Sequence, residues 1–297
     1  MSEVAAGEVG AQTIEPREKR LVGLWRRFRR NRLAVLGLVI VVVMILTAIF
    51  APLIAPSDPK AQNYGLTLQP PGEGGLMGTD SLGSDVFSRV VYGARISLEA
   101  SLISVGLAIG VGVPVGLVSG YFRGFWDEWV VMRIVDSIQA FPFLILALVI
   151  AAVLGGGLGF AMIAIGIAFV PYFVRITRAQ VLTVRGLDYV EAARAIGAGN
   201  LRIMFQHVLP NSLPPILVQT TLALGYAIIA EATLSYLGLG AEPGEPSWGS
   251  MLYQAQSYLT SAWWMAFFPG MAIFFAVLGF NLLGDGVREA LDPRTYE

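Results

Sequence analysis

"RRFRRNRLAVLGLVIVVVMILTAIFAPLIAP", Arg26 to Pro56, sets a cluster of arginines against an unbroken apolar run. The run from Leu33 to Ile54 has the roughly 20 residues that a helix needs to cross a bilayer. A basic start before an apolar run also describes a secretory signal. This run is too long for a signal's apolar core, and no A-x-A-like cleavage site precedes the prolines. It reads as an uncleaved membrane helix whose end, at Ala51-Pro52 and Ala55-Pro56, reaches the interface.

The rest of the chain follows the same solvent. Of 297 residues, 55% are hydrophobic and 14% charged, where soluble domains have about a quarter charged. Six apolar stretches stand out, at about 33–55, 95–119, 130–154, 159–180, 213–237 and 262–284. They predict an all-α membrane protein with six transmembrane helices. Eight of the twenty Lys and Arg lie before residue 33. Arg123, Arg133, Arg175, Arg178, Arg185, Arg194, Arg202, Arg288 and Arg294 fall on the same side when the spans alternate. Lys60, Arg89 and Arg95 fall on the other. Basic residues favour the cytoplasmic face, so both termini are expected there. The expected division is a cytoplasmic basic segment (1–32, its first 20 residues a flexible tail), a first helix with an extracytoplasmic linker (33–92), a five-helix core (93–284) and a cytoplasmic tail (285–297).

Within the spans, Gly112, Gly116 and Gly120 repeat every fourth residue, a spacing that lets membrane helices approach closely. Pro114, Pro142 and Pro171 are expected to kink spans two, three and four. Residues 56–92 read as a linker rich in Pro, Gly and Asp. Residues 238–261 read as a partly embedded loop or surface helix, with Trp248, Tyr253, Tyr258, Trp263 and Trp264 as interfacial anchors.

Much chemistry is excluded. There is no cysteine and one histidine, His207, so thiol catalysis and a metal site of Cys or clustered His are ruled out. No G-x-x-x-x-G-K-[ST] occurs, so the chain has no P-loop of its own. The "LGGGLG" at 154–159 lacks dinucleotide-binding spacing and reads as a tight turn. Arg26, Arg27, Arg29, Arg30 and Arg32 read as a basic anchor beside anionic lipid rather than a nucleic-acid surface. The chain is expected to be non-catalytic and to carry no cofactor or metal. A few polar groups remain within the spans, among them Glu99 and, as candidates for a pathway or a subunit interface, Asp136, Gln139 and Glu231. A charge at the centre of a membrane helix costs about 2.5–3.5 kcal/mol on insertion scales.

The polar stretch "YVEAARAIGAGNLRIMFQHVLP", Tyr189 to Pro210, joins spans four and five on the basic side. Asp188 is expected to cap a helix over 189–196, which Gly197 and Gly199 end. Asn200 is expected to cap a second helix, 201–209, which Pro210 helps terminate. Small residues (Ala192, Ala193, Ala195, Ala198) beside Glu191 and Arg194 make a face that another protein can grip closely. Alanine adds little insertion energy, so docking fits better than lying on lipid.

Glu191-Ala192-Ala193, then Gly197, then His207-Val208-Leu209-Pro210 resembles the EAA loop of ABC importer permeases. "HVLPNSLPP" is similar to the dipeptide/oligopeptide/nickel branch, with His207 where the general pattern has an apolar residue. "GTDSLGSDVFSRVVYGARISL", "VDSIQAFPFLILAL", "EATLSYLGLG", "SWGSML" and "LGDGVREALDPR" resemble further signatures, and the extra first helix resembles that branch's second permease. The family more often has Arg where this chain has Ser84. The resemblance implies a type I ABC importer permease fold and a location in the bacterial or archaeal cytoplasmic membrane. It implies as partners a second homologous permease, two ABC ATPase subunits that bind ATP and Mg, an extracytoplasmic substrate-binding protein, and lipid. Residues 188–210 would be the coupling loop. There Glu191, Ala192, Ala193, Arg194 and Gly197 would contact the ATPase, with Asp188, Asn200, His207 and Pro210 as support. Peptides are the implied cargo. Nickel or another small solute, a non-transporting scaffold and a proton-coupled carrier remain alternatives.

Overall fold

In the computed structural model, residues 17–242 and 244–291 are described; the first sixteen residues of the expected tail, and Arg294 with the rest of 292–297, lie outside them. Helix α1 spans Arg17–Arg30, so the expected flexible tail already turns helical at Arg17. Asn31 interrupts it. Its Oδ1 accepts from the backbone N–H of Leu33 and Ala34 at 2.9 and 3.0 Å and so caps α2, Arg32–Ile49. A short α3, Ala51–Ile54, follows. Helix α4 is Val86–Phe122. A π turn, Trp126–Val131, leads into α5, Met132–Gln139, and then α6, Phe143–Val153. Helix α7 is Leu158–Val184. Asp188–Ala195 and Asn200–Arg202 form α8 and α9. A second π turn, Ile203–Val208, runs into α10, Leu209–Tyr236. The chain closes with α11, Trp248–Ala255, and α12, Trp264–Leu291.

Five of these helices are long and apolar enough to cross a membrane, and six candidate spans result if Trp126–Gln139 and Phe143–Val153, which meet at 93°, count as one. The break corrects the expected kink. Pro142 does not sit inside span three; it is the N-cap of α6, where its missing N–H costs no helical bond. Pro114 and Pro171, by contrast, lie within continuous helices.

Helices α4 and α7 form the spine. A Cβ added at Gly112 would lie 2.6 Å from Phe173 Cβ, at Gly116 2.5 Å from the Val174 carbonyl, and at Gly120 2.9 Å from the Arg178 carbonyl. The three glycines therefore let one backbone rest on the other. Around this spine, Phe169, Phe173, Ile216 and Leu234 build one buried cluster with α6 and α10. Met44, Leu98, Ile228, Trp248 and Phe280 build a second with α2, α11 and α12.

The segment expected to be a linker over 56–92 is shorter and folded. Helix α4 begins at Val86, and Thr79, Asp80, Ser84 and Arg89 are buried. Arg89 Nη1 meets Asp80 Oδ2 at 2.8 Å, and Asp80 Oδ1 accepts from the Leu82 and Ser84 N–H groups at 2.8 and 2.9 Å. Two expected interfacial anchors are core residues instead. Trp248 and Trp264 are 2% and 5% exposed. Their indole N–H groups donate to the carbonyls of Val90 and Thr79 at 2.9 and 3.0 Å. An indole whose N–H finds a partner can be buried whole. Tyr253 and Trp263 stay exposed.

We expect Gly116→Ala to lower thermal stability by ~1–3 kcal/mol, the usual cost of overpacking. Gly110, with open space around its Cβ position, should tolerate Ala without loss. Thermal unfolding of both variants in nanodiscs checks this.

Candidate functional site

The loop between α7 and α10 is the part of the molecule most sharply divided between two faces. Val190 and Ala193 turn inward. Val190 joins a small core of Leu117, Tyr121, Val181, Val184, Ile203, Met204 and Val208. Glu191, Ala192 and Arg194 turn outward. Ala193 is therefore buried within its own chain, which corrects the expected outward pair of alanines; Ala192 and Ala195 carry the small exposed face.

The turn after α8 is built by Gly197, at φ +87°. Its N–H donates to the Arg194 carbonyl at 3.0 Å, and Ala198 N–H donates to the Ala193 carbonyl at 3.1 Å. This pair of bonds is the Schellman closure, which needs a residue at ease with positive φ. Three supporting residues act differently from expectation. Asp188 is the first residue of α8; Leu187 holds the cap position and no side-chain cap bond forms. The carboxylate still sits in the first turn, where the helix dipole favours it. Asn200 does not cap α9, because Gly199 takes that position; its Oδ1 accepts from the Tyr121 hydroxyl at 2.9 Å. Pro210 does not terminate a helix. The chain is helical from Asn200 to Tyr236, and the wider π turn before α10 accommodates the missing donor. His207 is half-buried, its ring 6.4 Å from that of Tyr189, and its carbonyl accepts from Asn211 Nδ2 at 2.6 Å.

Polar anchors tie this loop to the spine. Arg185 Nη1 donates to the carbonyls of Gly120 and Tyr121 at 3.1 and 2.7 Å. These belong to the last turn of α4, whose carbonyls lack intrahelical partners and carry the negative end of the helix dipole. Just above, Arg178 grips Asp127 with two bonds of 2.7 and 2.6 Å, and Ser119 bonds the same carboxylate. Asp127 is 3% exposed, so it depends on this fork.

The sequence reading missed three exposed apolar side chains around the turn: Ile196 at 86%, Leu201 at 69% and Phe205 at 58%. Their sequence signal is present but doubled. Leu201 and Phe205 are four apart, and so are Met204 and Val208, giving two apolar stripes on one helix. Only the second is covered.

The other candidates do not gather with the loop or with one another. Asp136 pairs with Arg175 at 2.6 Å, both about half exposed. The amide oxygen of Gln139 is sealed from solvent without a partner near the α5–α6 break. Glu231 is 0% exposed and accepts from the hydroxyls of Ser97 and Ser235 at 3.0 and 2.8 Å. Among the described residues, no three His, Cys, Asp or Glu side chains are grouped as metal ligands.

Replacing Arg178 by Met should cost ~3–5 kcal/mol, since it leaves Asp127 charged and buried. Pairing the change with Asp127→Asn should recover most of it. Melting temperatures of the two variants in nanodiscs provide the check.

Residues 112–296 match the family described as the binding-protein-dependent transport system inner membrane component. Residues 21–71 match the N-terminal transmembrane domain of oligopeptide transport permease C. The chain is 47% identical over 276 residues to the dipeptide transport system permease protein DppC of Escherichia coli, covering 91% of this chain and 92% of that one. It is 45% identical to the DppC protein of Alkalihalophilus pseudofirmus, covering 91% and 88%. The di/tripeptide permease DppC of Pseudomonas aeruginosa is 45% identical, with 91% of each covered. In fold it matches a chain of the MetNI methionine ABC transporter, with a TM-score of 0.57 at 22% identity, covering 69% of this chain and 97% of that one. This multi-pass membrane protein therefore belongs to the binding-protein-dependent transport permeases, the membrane components of ABC importers.

Proposed function

We propose that this chain is one of two permease subunits of a peptide importer in the bacterial or archaeal cytoplasmic membrane, and that loop 188–210 docks on a partner ATPase. The observation that carries the docking is the exposed tip formed by Ile196, Leu201 and Phe205 around Gly197, backed by a rigid buried plate. Apolar side chains exposed together mark a surface that another protein covers. Glu191 and Arg194 supply the charged rim, and Ala192 admits close approach. The peptide cargo is supported by the relatives, which are described as dipeptide and di/tripeptide permeases.

In this reading the basic segment 1–32, the loop and the tail 285–297 face the cytoplasm, the first helix and its folded outer segment occupy 33–92, and the five-helix core is 93–284. A second permease completes the path, and an extracytoplasmic binding protein delivers peptide to the outer surfaces near 56–85 and 238–261. ATP and Mg are held by the ATPases. Nucleotide binding and hydrolysis there bias a two-state bundle. A push on α8 reaches the spine through the plate under Val190, through Tyr121–Asn200, and through Arg185 on the end of α4. The Asp127–Arg178 fork passes it to α7.

The test is reconstitution with the second permease, the ATPases and the binding protein. ATP-dependent peptide uptake should persist after the proton gradient is collapsed; uptake that vanishes with the gradient would point to a proton-coupled carrier, and no uptake under any energy source to a scaffold. Glu191→Arg and Gly197→Trp should each block ATPase association or uptake while membrane insertion stays intact; uptake surviving both would remove the coupling role. Ile196→Asp should weaken ATPase association about tenfold or more, because a charge would have to be buried. Co-purification of the ATPases with each variant measures this.

A further inference from the structure

We infer that the cavity between α7, α10 and the end of α12 is a binding site for a short peptide, with Arg288 receiving its free C-terminal carboxylate. This deepens the reading of the chain as a peptide permease and rests on it. The cavity holds about 650 Å³, within the roughly 300–1,000 Å³ of ordinary small-molecule sites. Its polar wall is Gln180, Asn211, Gln219 and Arg288, above apolar side chains from all three helices.

Three features of that wall point to peptide chemistry. First, among the described residues it contains one guanidinium and no carboxylate. Glu289, the acidic neighbour of Arg288, is held by Asn31 Nδ2 at 2.5 Å. A single fork of donors without a competing acid suits one carboxylate, bound by two parallel bonds. Second, the side chains of Gln180, Gln219 and Arg288 make no hydrogen bond to any described residue. Each amide offers both a donor and an acceptor, which matches the alternating N–H and C=O groups of a peptide main chain. Third, Pro214 and Pro215 line the cavity. They remove the N–H groups that would otherwise meet the carbonyls of residues 210 and 211 one helical turn back, which lowers the demand on those acceptors beside the cavity. A phosphate headgroup would use donors alone and gains nothing from these acceptors. The apolar floor accepts side chains of varied shape without specifying them.

The experiment uses the assembled permease pair with its ATPases in nanodiscs, without the binding protein, and a radiolabelled tripeptide as probe. Saturable binding is expected. Arg288→Gln should weaken it about tenfold or more, the loss of a charge-assisted bond, and Arg288→Lys should restore part of it. Amidating the peptide's C-terminus should weaken binding to the unaltered protein as much, and should not weaken Arg288→Gln further. The amidated peptide needs no variant, so the test stands even where a substitution prevents assembly. Equal binding of free and amidated peptide, unchanged affinity in Arg288→Gln, or displacement of the peptide by glycerol phosphate would overturn the site. ATP-driven uptake is measured alongside with the binding protein present. Uptake without Arg288-dependent binding removes this inference alone, whereas absence of peptide uptake removes the transport reading itself.

Discussion

The contact of α4 with α7 is the constraint on which the other arrangements depend. Gly112, Gly116 and Gly120 present backbone to backbone, at distances a Cβ would occupy. In a lipid solvent the hydrophobic effect does not press helices together, so close packing of small residues must hold them. The approach also sets the chemistry at the loop end of the spine. It brings Ser119, on α4, to the carboxylate that Arg178 of α7 grips, and it places the last carbonyls of α4 within reach of Arg185. Had the glycines been larger, the spine would open and these bonds would be lost together.

The 188–210 loop shows how a short polar segment is made stiff. Its inner side is a core of its own, joined to α4 and α7 through Leu117, Tyr121, Val181 and Val184. Its turn is locked by the backbone bonds around Gly197. A loop that only lay on the surface would absorb a partner's movement in its own flexibility. One whose inner face is packed transmits displacement, because packed side chains are dense and hardly compressible.

The half away from that loop solves a different problem. Asp80, Arg89 and Glu231 are all buried, and each meets at least one partner that offsets the cost, although Arg89 Nε and Nη2 find none among the described residues. Arg89 and Asp80 meet as an ion pair, and serine hydroxyls on two helices serve Glu231. These contacts, with the indole bonds of Trp248 and Trp264, fold the segment before α4 onto the bundle, so the surface it presents is shaped rather than loose.

The apolar spans, the small-residue stripe and the polar loop were legible in the sequence, because each depends on residues close together in the chain. Hydropathy over some twenty residues is a local property, a glycine every fourth position lies on one helix face, and Gly197 must follow the helix it ends. What the sequence could not decide was where polar and aromatic groups would go. Arg89 read as a linker charge opposite the basic side, and Trp248 and Trp264 as interface anchors. Asp188 and Asn200 read as caps, and Ala193 as part of an outward face. Their partners, or the positions that displaced them, lie elsewhere: Arg89 meets Asp80, Asn200 meets Tyr121, and Trp264 meets Thr79 across 185 residues. Residue type alone shows that a buried donor or charge needs a partner. Which partner it finds, and which of two apolar stripes stays uncovered, is settled only when distant helices pack.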